Sequence, residues 1–291
     1  MLAVLATACG DARGATEPTK LHVGISAAFV LPGGGALWTT DHTGGRVVRV
    51  DPAAGRVQSS FAVGGYPFGL AYGAGSIWVG SRYRAQVTRF SARTNKRQKR
   101  IRVGGSPYAL AFGGGSVWVT NEGSGTVSRI GPRRNKVIKT IRVGGNPNGI
   151  AFAFRKIWVA DFGRGRLLRI DPRRNRVERK IRIPSADWIT ASPDSLWVSS
   201  ETGRVYRIDP ATMAVEATVT VGTNPLASAW IDGALWVPNI DSATVSIVDP
   251  ATNAVRRTLS VGQSPIAVAG AAGAAWVSSE LEGDLWRFET S

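Results

Sequence analysis

The chain has 291 residues, of which 43% are hydrophobic, with 35 Gly, 15 Pro and a formal net charge of +16. Its single cysteine, Cys9, excludes an intrachain disulfide, and no segment beyond the first residues is apolar enough to span a membrane. The hydrophobic fraction is ample for a continuous core. Abundant Gly without helical periodicity favours many short strands joined by tight turns.

The first residues form a short apolar run that ends at Ala8-Cys9-Gly10. This run resembles the end of a bacterial lipoprotein signal, although the charged leader is missing and Ala6 replaces the usual Leu. We therefore expect residues 1–9 to be a truncated signal with Cys9 as the lipidation residue, and residues 10–17 to be a polar tether. The protein would then be extracytoplasmic, either secreted or touching a membrane only through its lipid anchor. A chance cysteine in a frayed terminus is the alternative.

Seven tryptophans recur at intervals of 39 or 40 residues, and each except the first is followed by valine. They are Trp38, Trp78, Trp118, Trp158, Trp197, Trp236 and Trp276. A period near 40 with β-branched residues and Gly-rich turns is typical of a β-propeller blade. Because Trp repeats at one position of every unit, we expect it to pack between blades rather than to stack against a ligand.

Each unit divides into four strand-length segments separated by Gly, Pro and Asn. In the third unit these segments are residues 106–112, 116–121, 126–130 and 136–143. Residues 18–23 match a fourth segment, whereas the last unit stops after its third. The pattern predicts an all-β, seven-bladed β-propeller of four-stranded antiparallel blades over residues 18–291. The N-terminal strand would complete the last blade and close the ring.

Two stretches carry a family resemblance. Residues 118–130 (Trp-Val-Thr-Asn-Glu-Gly-Ser-Gly-Thr-Val-Ser-Arg-Ile) and 245–255 (Val-Ser-Ile-Val-Asp-Pro-Ala-Thr-Asn-Ala-Val) are similar to the YVTN-type β-propeller repeat. The streptogramin (virginiamycin B) lyases share this repeat style. The first resemblance implies a propeller used as a surface protein, sensor or binding module. The second implies a metal-assisted acid–base site in the later blades.

Two loops of every blade are expected on one face of the ring, because successive strands alternate in direction. These are the loop after the second strand and the loop before the first, and their polar residues depart most from the repeat in blades four and five. Tight turns also require Asn, Asp and Ser, so a purely structural role is the alternative. Propellers usually bind at one end of the channel, and we predict a site for a small ligand or protein there. Its candidate residues are Tyr66, Tyr108, Asn121, Asn146, Asn148, Asp161, Asp187 and Asn239.

Positive charge is concentrated in residues 82–182, which contain 26 basic and 4 acidic residues. Most of it falls on the last turn and outer strand of blades two to four. Lys and Arg protect an exposed strand from edge-to-edge aggregation. Alternatively, they form a flank that binds a polyanion, such as a nucleic acid or a cell-wall polymer. The candidate patch is Arg97, Lys99, Arg100, Arg134, Lys136, Lys139, Arg174, Arg176, Arg179 and Lys180.

The sequence gives little support for catalysis. Only His22 and His42 are available for acid–base chemistry near neutral pH. No His–Glu cluster is visible in blades six and seven, where Asp241, Glu280 and Glu282 fall at scattered turns. We therefore expect no catalytic residue, metal or cofactor, and interpret the protein as a binding or interaction module. A metal-dependent carbon–oxygen lyase of the virginiamycin B type and a polyanion-binding protein are the alternatives.

Overall fold

The computed structural model describes residues 17–290 and consists of seven four-stranded antiparallel sheets arranged as the blades of a ring. Blades 1 to 4 comprise β2–β5 (Val30–Gly33, Ala36–Asp41, Arg46–Asp51, Arg56–Ala62), β6–β9 (Pro67–Gly73, Ser76–Ser81, Gln86–Ser91, Arg97–Arg102), β10–β13 (Pro107–Gly113, Ser116–Asn121, Thr126–Gly131, Lys136–Arg142) and β14–β17 (Pro147–Ala153, Lys156–Asp161, Arg166–Asp171, Arg176–Arg182). Blades 5 to 7 comprise β18–β21 (Ala186–Ala191, Leu196–Ser200, Arg204–Ile208, Val215–Thr220), β22–β25 (Ala229–Ile231, Ala234–Asn239, Thr244–Asp249, Ala254–Ser260) and β26–β28 (Pro265–Ala271, Ala274–Ser279, Asp284–Glu289) with β1 (Thr19–His22). Three single-turn 3-10 helices follow the second strands of blades 2 to 4, at Arg82–Arg84, Glu122–Ser124 and Phe162–Arg164.

The local sequence explains why each blade folds as a meander. The first two strands of blade 3 are joined by Gly114 and Gly115, whose φ angles of 56° and 71° match the two-residue turn that twisted hairpins prefer. The second strands are buried along their whole length except at Lys156 in blade 4, because their two faces pack against the two neighbouring blades. The predicted strands of the third unit are confirmed to within one residue at each end.

Ring closure is confirmed. Strand β1 pairs antiparallel with β28 in a register that sets Thr19 opposite Arg287 and His22 opposite Asp284. The N-terminal strand thus supplies the outermost strand of blade 7. The first and last blades are therefore held together by hydrogen bonds and packing.

The tryptophans form the framework between the blades, as predicted. Six are at most 1% exposed and Trp236 is 5% exposed. Six face an arginine across the second and third strands, and that guanidinium lies over the indole, as Arg129 does over Trp118 at 4.8 Å. Arg129 also donates to the carbonyl of Pro172 in blade 4 at 2.7 Å. Blade 6 departs from this arrangement, because Ile247 stands opposite its Trp.

The proposed lipidation residue, Cys9, lies outside the described residues, so the structure does not test it. Within residues 17–290, no helix has the length and apolar character needed to cross a bilayer.

Candidate ligand site at the channel mouth

Aromatic side chains fill the central channel. Phe29 of blade 1 and Trp188 of blade 5 occupy the same repeat position, where the other five blades carry Gly or Ala. Their rings lie 4.9 Å apart, a contact that crosses the channel because these blades are not neighbours. Phe68 packs on Phe29 at 4.8 Å and Tyr108 on Phe68 at 4.9 Å. These rings form an apolar floor beneath the channel mouth.

The residue four places after each of the seven tryptophans comes directly after the second strand of its blade, and we call this the rim position. Its residues, from blade 1 to blade 7, are His42, Arg82, Glu122, Phe162, Glu201, Ile240 and Glu280. Sequence reasoning missed this set because it followed the uniformly polar position one residue earlier. The sequence does contain a signal for this set, because the rim position changes between basic, acidic and apolar residues from blade to blade.

Arg82 connects the rim to the floor. Its guanidinium lies 5.1 Å from the centre of the Phe68 ring and 5.0 Å from that of Tyr108. It forms a salt bridge with Glu122 of the next blade, which also accepts a hydrogen bond from the Ser106 hydroxyl at 3.1 Å. The one arginine at the rim is therefore neutralised by its neighbour.

The structure brings Glu280 of blade 7, which the sequence places at one of several scattered turns, next to a histidine of blade 1. His42 Nε2 lies 3.1 Å from Glu280 Oε1 across the seam between blades 1 and 7. Tyr66 stacks on the His42 ring at 4.3 Å. The hydrogen bonds from His42 and Ser264 hold the pKa of Glu280 below its usual value. The Nε2 of His42 is already paired with Glu280, so this nitrogen is not free to meet a ligand.

Asp187 is the most unusual group at the mouth. Its side chain is buried beside Tyr108, and its Oδ1 accepts a hydrogen bond from Asn148 Nδ2 at 2.9 Å. Burial raises the pKa of Asp187 to about 7, and the carboxylates of Glu201 and Glu122 add to the rise. Burial and the nearby Asp187 charge likewise raise the pKa of Tyr108 well above its ordinary value. Asn148 Oδ1 is buried and meets no donor among residues 17–290.

The predicted mouth residues divide into two groups. Tyr66, Tyr108, Asn148 and Asp187 do gather at the mouth, and Asn146 is exposed on a neighbouring loop. Asn121, Asp161 and Asn239 are fully buried and bonded within turns. For example, Asn121 Nδ2 donates to Thr126 at 3.0 Å and to Ser128 at 2.9 Å. These three side chains support the loops that carry the rim.

The mouth as a whole is acidic. Arg82 and His42 are paired with rim glutamates, whereas Asp187 and Glu201 form no salt bridge in the described part of the chain. Partial desolvation and the neighbouring Asp241 raise the pKa of Glu201, so carboxylates crowd the side of blades 5 and 6. An acidic, partly apolar site of this kind favours a ligand that carries positive charge and N–H donors.

The metal site that the lyase resemblance implies has no counterpart in residues 17–290. Nowhere in that range do three or more His, Cys, Asp or Glu side chains come together in a way that could hold a metal ion. His42 and Glu280 form a pair without a third ligand, and Asp187 is bonded to an amide.

The candidate cationic patch lies on the outermost strands of blades 2 to 4 and on the turns before them. Most residues of β9, β13 and β17 are exposed, as the sequence predicts for the outer edge of a blade. None of the ten candidate cations forms a salt bridge with an acidic residue in the described chain. Binding of a polyanion by this edge stays a prediction.

No protein-family model matches the chain, and no curated protein matches it. Solved structures share its fold. A streptogramin B lyase has 16% identity and a TM-score of 0.83, over 93% of this chain and 96% of the lyase. Virginiamycin B lyase from Staphylococcus aureus has 14% identity and a TM-score of 0.84, over 94% and 99%. Kuenenia stuttgartiensis hydrazine synthase has 15% identity and a TM-score of 0.75, over 97% and 99%. Because proteins of such different names share it, the fold does not define an activity.

Proposed function

We propose that this propeller is a binding module whose channel mouth takes a small ligand with a planar, positively charged N–H group and an apolar body. The observation that carries the proposal is the buried pair of Asp187 and Asn148. In this pair a buried carboxyl group lies beside a buried amide oxygen that has no donor among residues 17–290. A charged group with two N–H donors satisfies both acceptors at once.

Energetics support this assignment. Burying a carboxyl group that has a single hydrogen bond disfavours its ionised form, as the raised pKa of Asp187 records. A cationic ligand would offset the cost of ionising Asp187, because it supplies a positive charge and hydrogen-bond donors to the carboxylate. The aromatic floor of Phe29, Phe68 and Tyr108, with Tyr66 beside Phe68, provides the apolar contacts that suit the rest of such a ligand.

The test uses three isosteric probes, namely benzamidine, benzamide and benzoate, in calorimetric titrations. We expect benzamidine to bind, and to bind more tightly at pH 8 than at pH 5.5, because Asp187 ionises between these values. Benzamide should bind weakly and benzoate not at all. Asp187→Asn should abolish the preference for the cation, whereas Asp232→Asn, at an exposed turn of blade 6, should leave it intact. A cation preference that survives Asp187→Asn would refute the proposal.

A second candidate function is lyase chemistry on a streptogramin B, favoured by a particular feature of the site. Asp187 titrates near neutral pH, as a general base requires, and the streptogramin B lyases share this fold. Because the described residues offer no metal site, any such activity should depend on Asp187 and resist a chelator. The test is the consumption of a streptogramin B by the wild type and by Asp187→Asn, with and without chelator. No turnover by the wild type would eliminate this candidate.

We also propose that the module acts outside the cytoplasm, anchored through Cys9. The support is the likeness of residues 1–10 to the end of a lipoprotein signal. The test is radiolabelled palmitate incorporation by the protein expressed from its native gene, compared with Cys9→Ser. Equal labelling of the two proteins would contradict an anchor at Cys9.

A further inference from the structure

A groove of about 640 Å³ lies on blade 4, outside the mouth and on the same face of the ring. Four cationic side chains line it: Arg164 from the 3-10 turn, Arg166 from β16, and Lys180 and Arg182 from β17. Phe162, at the rim position, forms part of its lining, so the groove reaches the rim of the mouth. Two regions of opposite charge therefore adjoin each other.

The positive charge in the groove is largely uncompensated. Arg166 forms a salt bridge with the buried Asp161. Arg164, Lys180 and Arg182 are exposed and form no salt bridge with any acidic residue in the range 17–290. Lys180 and Arg182 are two residues apart on one strand, so their side chains share a face of the blade.

The register of the strands places like charges opposite each other, which is unfavourable for stability when no anion is bound. Arg166 stands directly opposite Arg182. Like charges at directly opposed positions destabilise a sheet. Blade 3 has Thr126 opposite Arg142 at the same place, and the groove beside it is lined by a single cation, Arg102, and by hydroxyl groups such as those of Ser124 and Thr140. The clustering is thus a property of blade 4 and is not required by the fold.

Protection of the sheet edge does not account for the groove. Arg166 lies on the third strand and Arg164 on a turn, and neither position is at the outer edge. Arginine provides a planar fork of donors that matches the oxygens of an oxyanion, and lysine adds a mobile charge. These residue types around one concavity suit a multiply charged anion.

We propose that this groove binds a phosphate or sulfate group, with Arg164, Lys180 and Arg182 as its principal ligands. The site is independent of the cation site at the mouth. Its anion is either free or carried along a polymer, and both present the same tetrahedral oxyanion. In the second case, the cations along the outer strands would continue the contact beyond the groove.

The experiment measures the affinity of the full chain for a short linear polyphosphate and for inorganic phosphate and sulfate, at two ionic strengths. Arg164→Gln and Arg182→Gln should each weaken polyphosphate binding about tenfold, the effect of losing a hydrogen bond to a charged group. The matched control is Arg257→Gln, since Arg257 is exposed at the equivalent position of the outer strand of blade 6, away from the groove and outside the candidate cationic patch. This control should change the affinity less than about twofold and lower the salt dependence only slightly.

Each outcome has one meaning. If inorganic phosphate or sulfate protects the protein against thermal unfolding and Arg182→Gln removes this protection, the ligand is a free anion and the proposal stands. If only polyphosphate shows this dependence, the anion is presented by a chain and the proposal also stands. Equal losses in Arg164→Gln, Arg182→Gln and Arg257→Gln would show unspecific attraction to positive charge and overturn the proposal. Failure of polyphosphate, phosphate and sulfate to bind the wild type would overturn it as well.

Discussion

The channel mouth and the outer edge of blades 2 to 4 are both rich in charged side chains, but these charges behave differently. At the mouth, acids and bases from several blades are half-buried and coupled, as in the contacts of Arg82 with Glu122 and of His42 with Glu280. At the edge, cations are exposed and form no ion pairs with acids of the described chain. The mouth should therefore respond to pH and to single substitutions, and the edge to salt and to total charge.

The largest expected change in stability comes from opening the ring. The channel mouth is built from all seven blades and depends on the pairing of β1 with β28, whereas the outer edge of blades 2 to 4 does not. Deleting residues 18–23 removes the strand whose four residues pair with β28. We expect the free energy of unfolding to fall by about 5 kcal/mol, because four strand pairs and the burial of Leu21 and Val23 are lost. The melting temperature should fall by more than about 10 °C. Thermal unfolding followed by circular dichroism measures this change. A deletion of residues 10–16 is the control, and equal melts for the two deletions would contradict the role of this strand.

The second prediction concerns the pH dependence of stability, which should come from the mouth and not from the edge. The pKa of Asp187 is about 7 in the folded protein, above the ordinary value of 3.8. The folded state therefore holds this proton more tightly than the unfolded state, and the stability contributed by Asp187 is complete below pH 4 and declines as the pH rises to about 7. Asp187→Asn should remove this decline and raise the free energy of unfolding at pH 8 by about 2–4 kcal/mol. Urea unfolding at pH 5 and pH 8 measures both changes. A variant less stable than the wild type at pH 8 would show that the ionised carboxylate stabilises the fold.

A third experiment compares arginines of the framework with those of the edge. Arg129 lies over Trp118 and bonds to Ser116, Pro172 and Asn175, so Arg129→Ala should cost about 2–3 kcal/mol. Arg100→Ala, at an exposed position of β9, is the matched control. If both substitutions have the same small effect in urea unfolding, the contacts between blades do not depend on the arginine.

The smallest effect is expected at the edge itself. Replacing Lys139 by Gln relieves repulsion among unpaired cations and should stabilise the fold by less than about 0.5 kcal/mol at low salt. The gain should vanish in 1 M salt, where the screening length is about 3 Å. The control is Lys20→Gln, because Lys20 lies close to Glu282 and over the Trp286 ring. A gain that persists in high salt would require an explanation other than repulsion.

The fold was predictable because the same unit of about 40 residues is repeated seven times along the sequence. The tryptophan period fixed the number of blades, and the likeness of residues 18–23 to a fourth strand predicted closure of the ring. Both signals exist because each blade buries the same side chains against its neighbours. The short inner strand of blade 6, Ala229–Ile231, was not foreseen, since its sequence keeps the repeat spacing.

The site was only partly predictable. Asp187 and Asn148 were selected because they break the repeat, and they do meet at the mouth. Asn121 and Asn239 were selected for polarity, which a buried turn requires just as much as a binding site does. The contact of His42 with Glu280 was invisible because it joins residues 238 positions apart, through the closure of a ring. The pKa of Asp187 depends on burial by several blades, which no local pattern encodes.

The central claim is that the mouth contains a buried carboxyl group ready to receive a cation, and the titration of Asp187 tests it directly. Carbon-13 NMR of the labelled carboxyl group, assigned with Asp187→Asn, should give a pKa of about 7 in the free protein. Saturation with benzamidine should lower that pKa, because a neighbouring positive charge favours the ionised form. A pKa near the ordinary value of 3.8 in the free protein, or one that benzamidine leaves unchanged, would contradict the account.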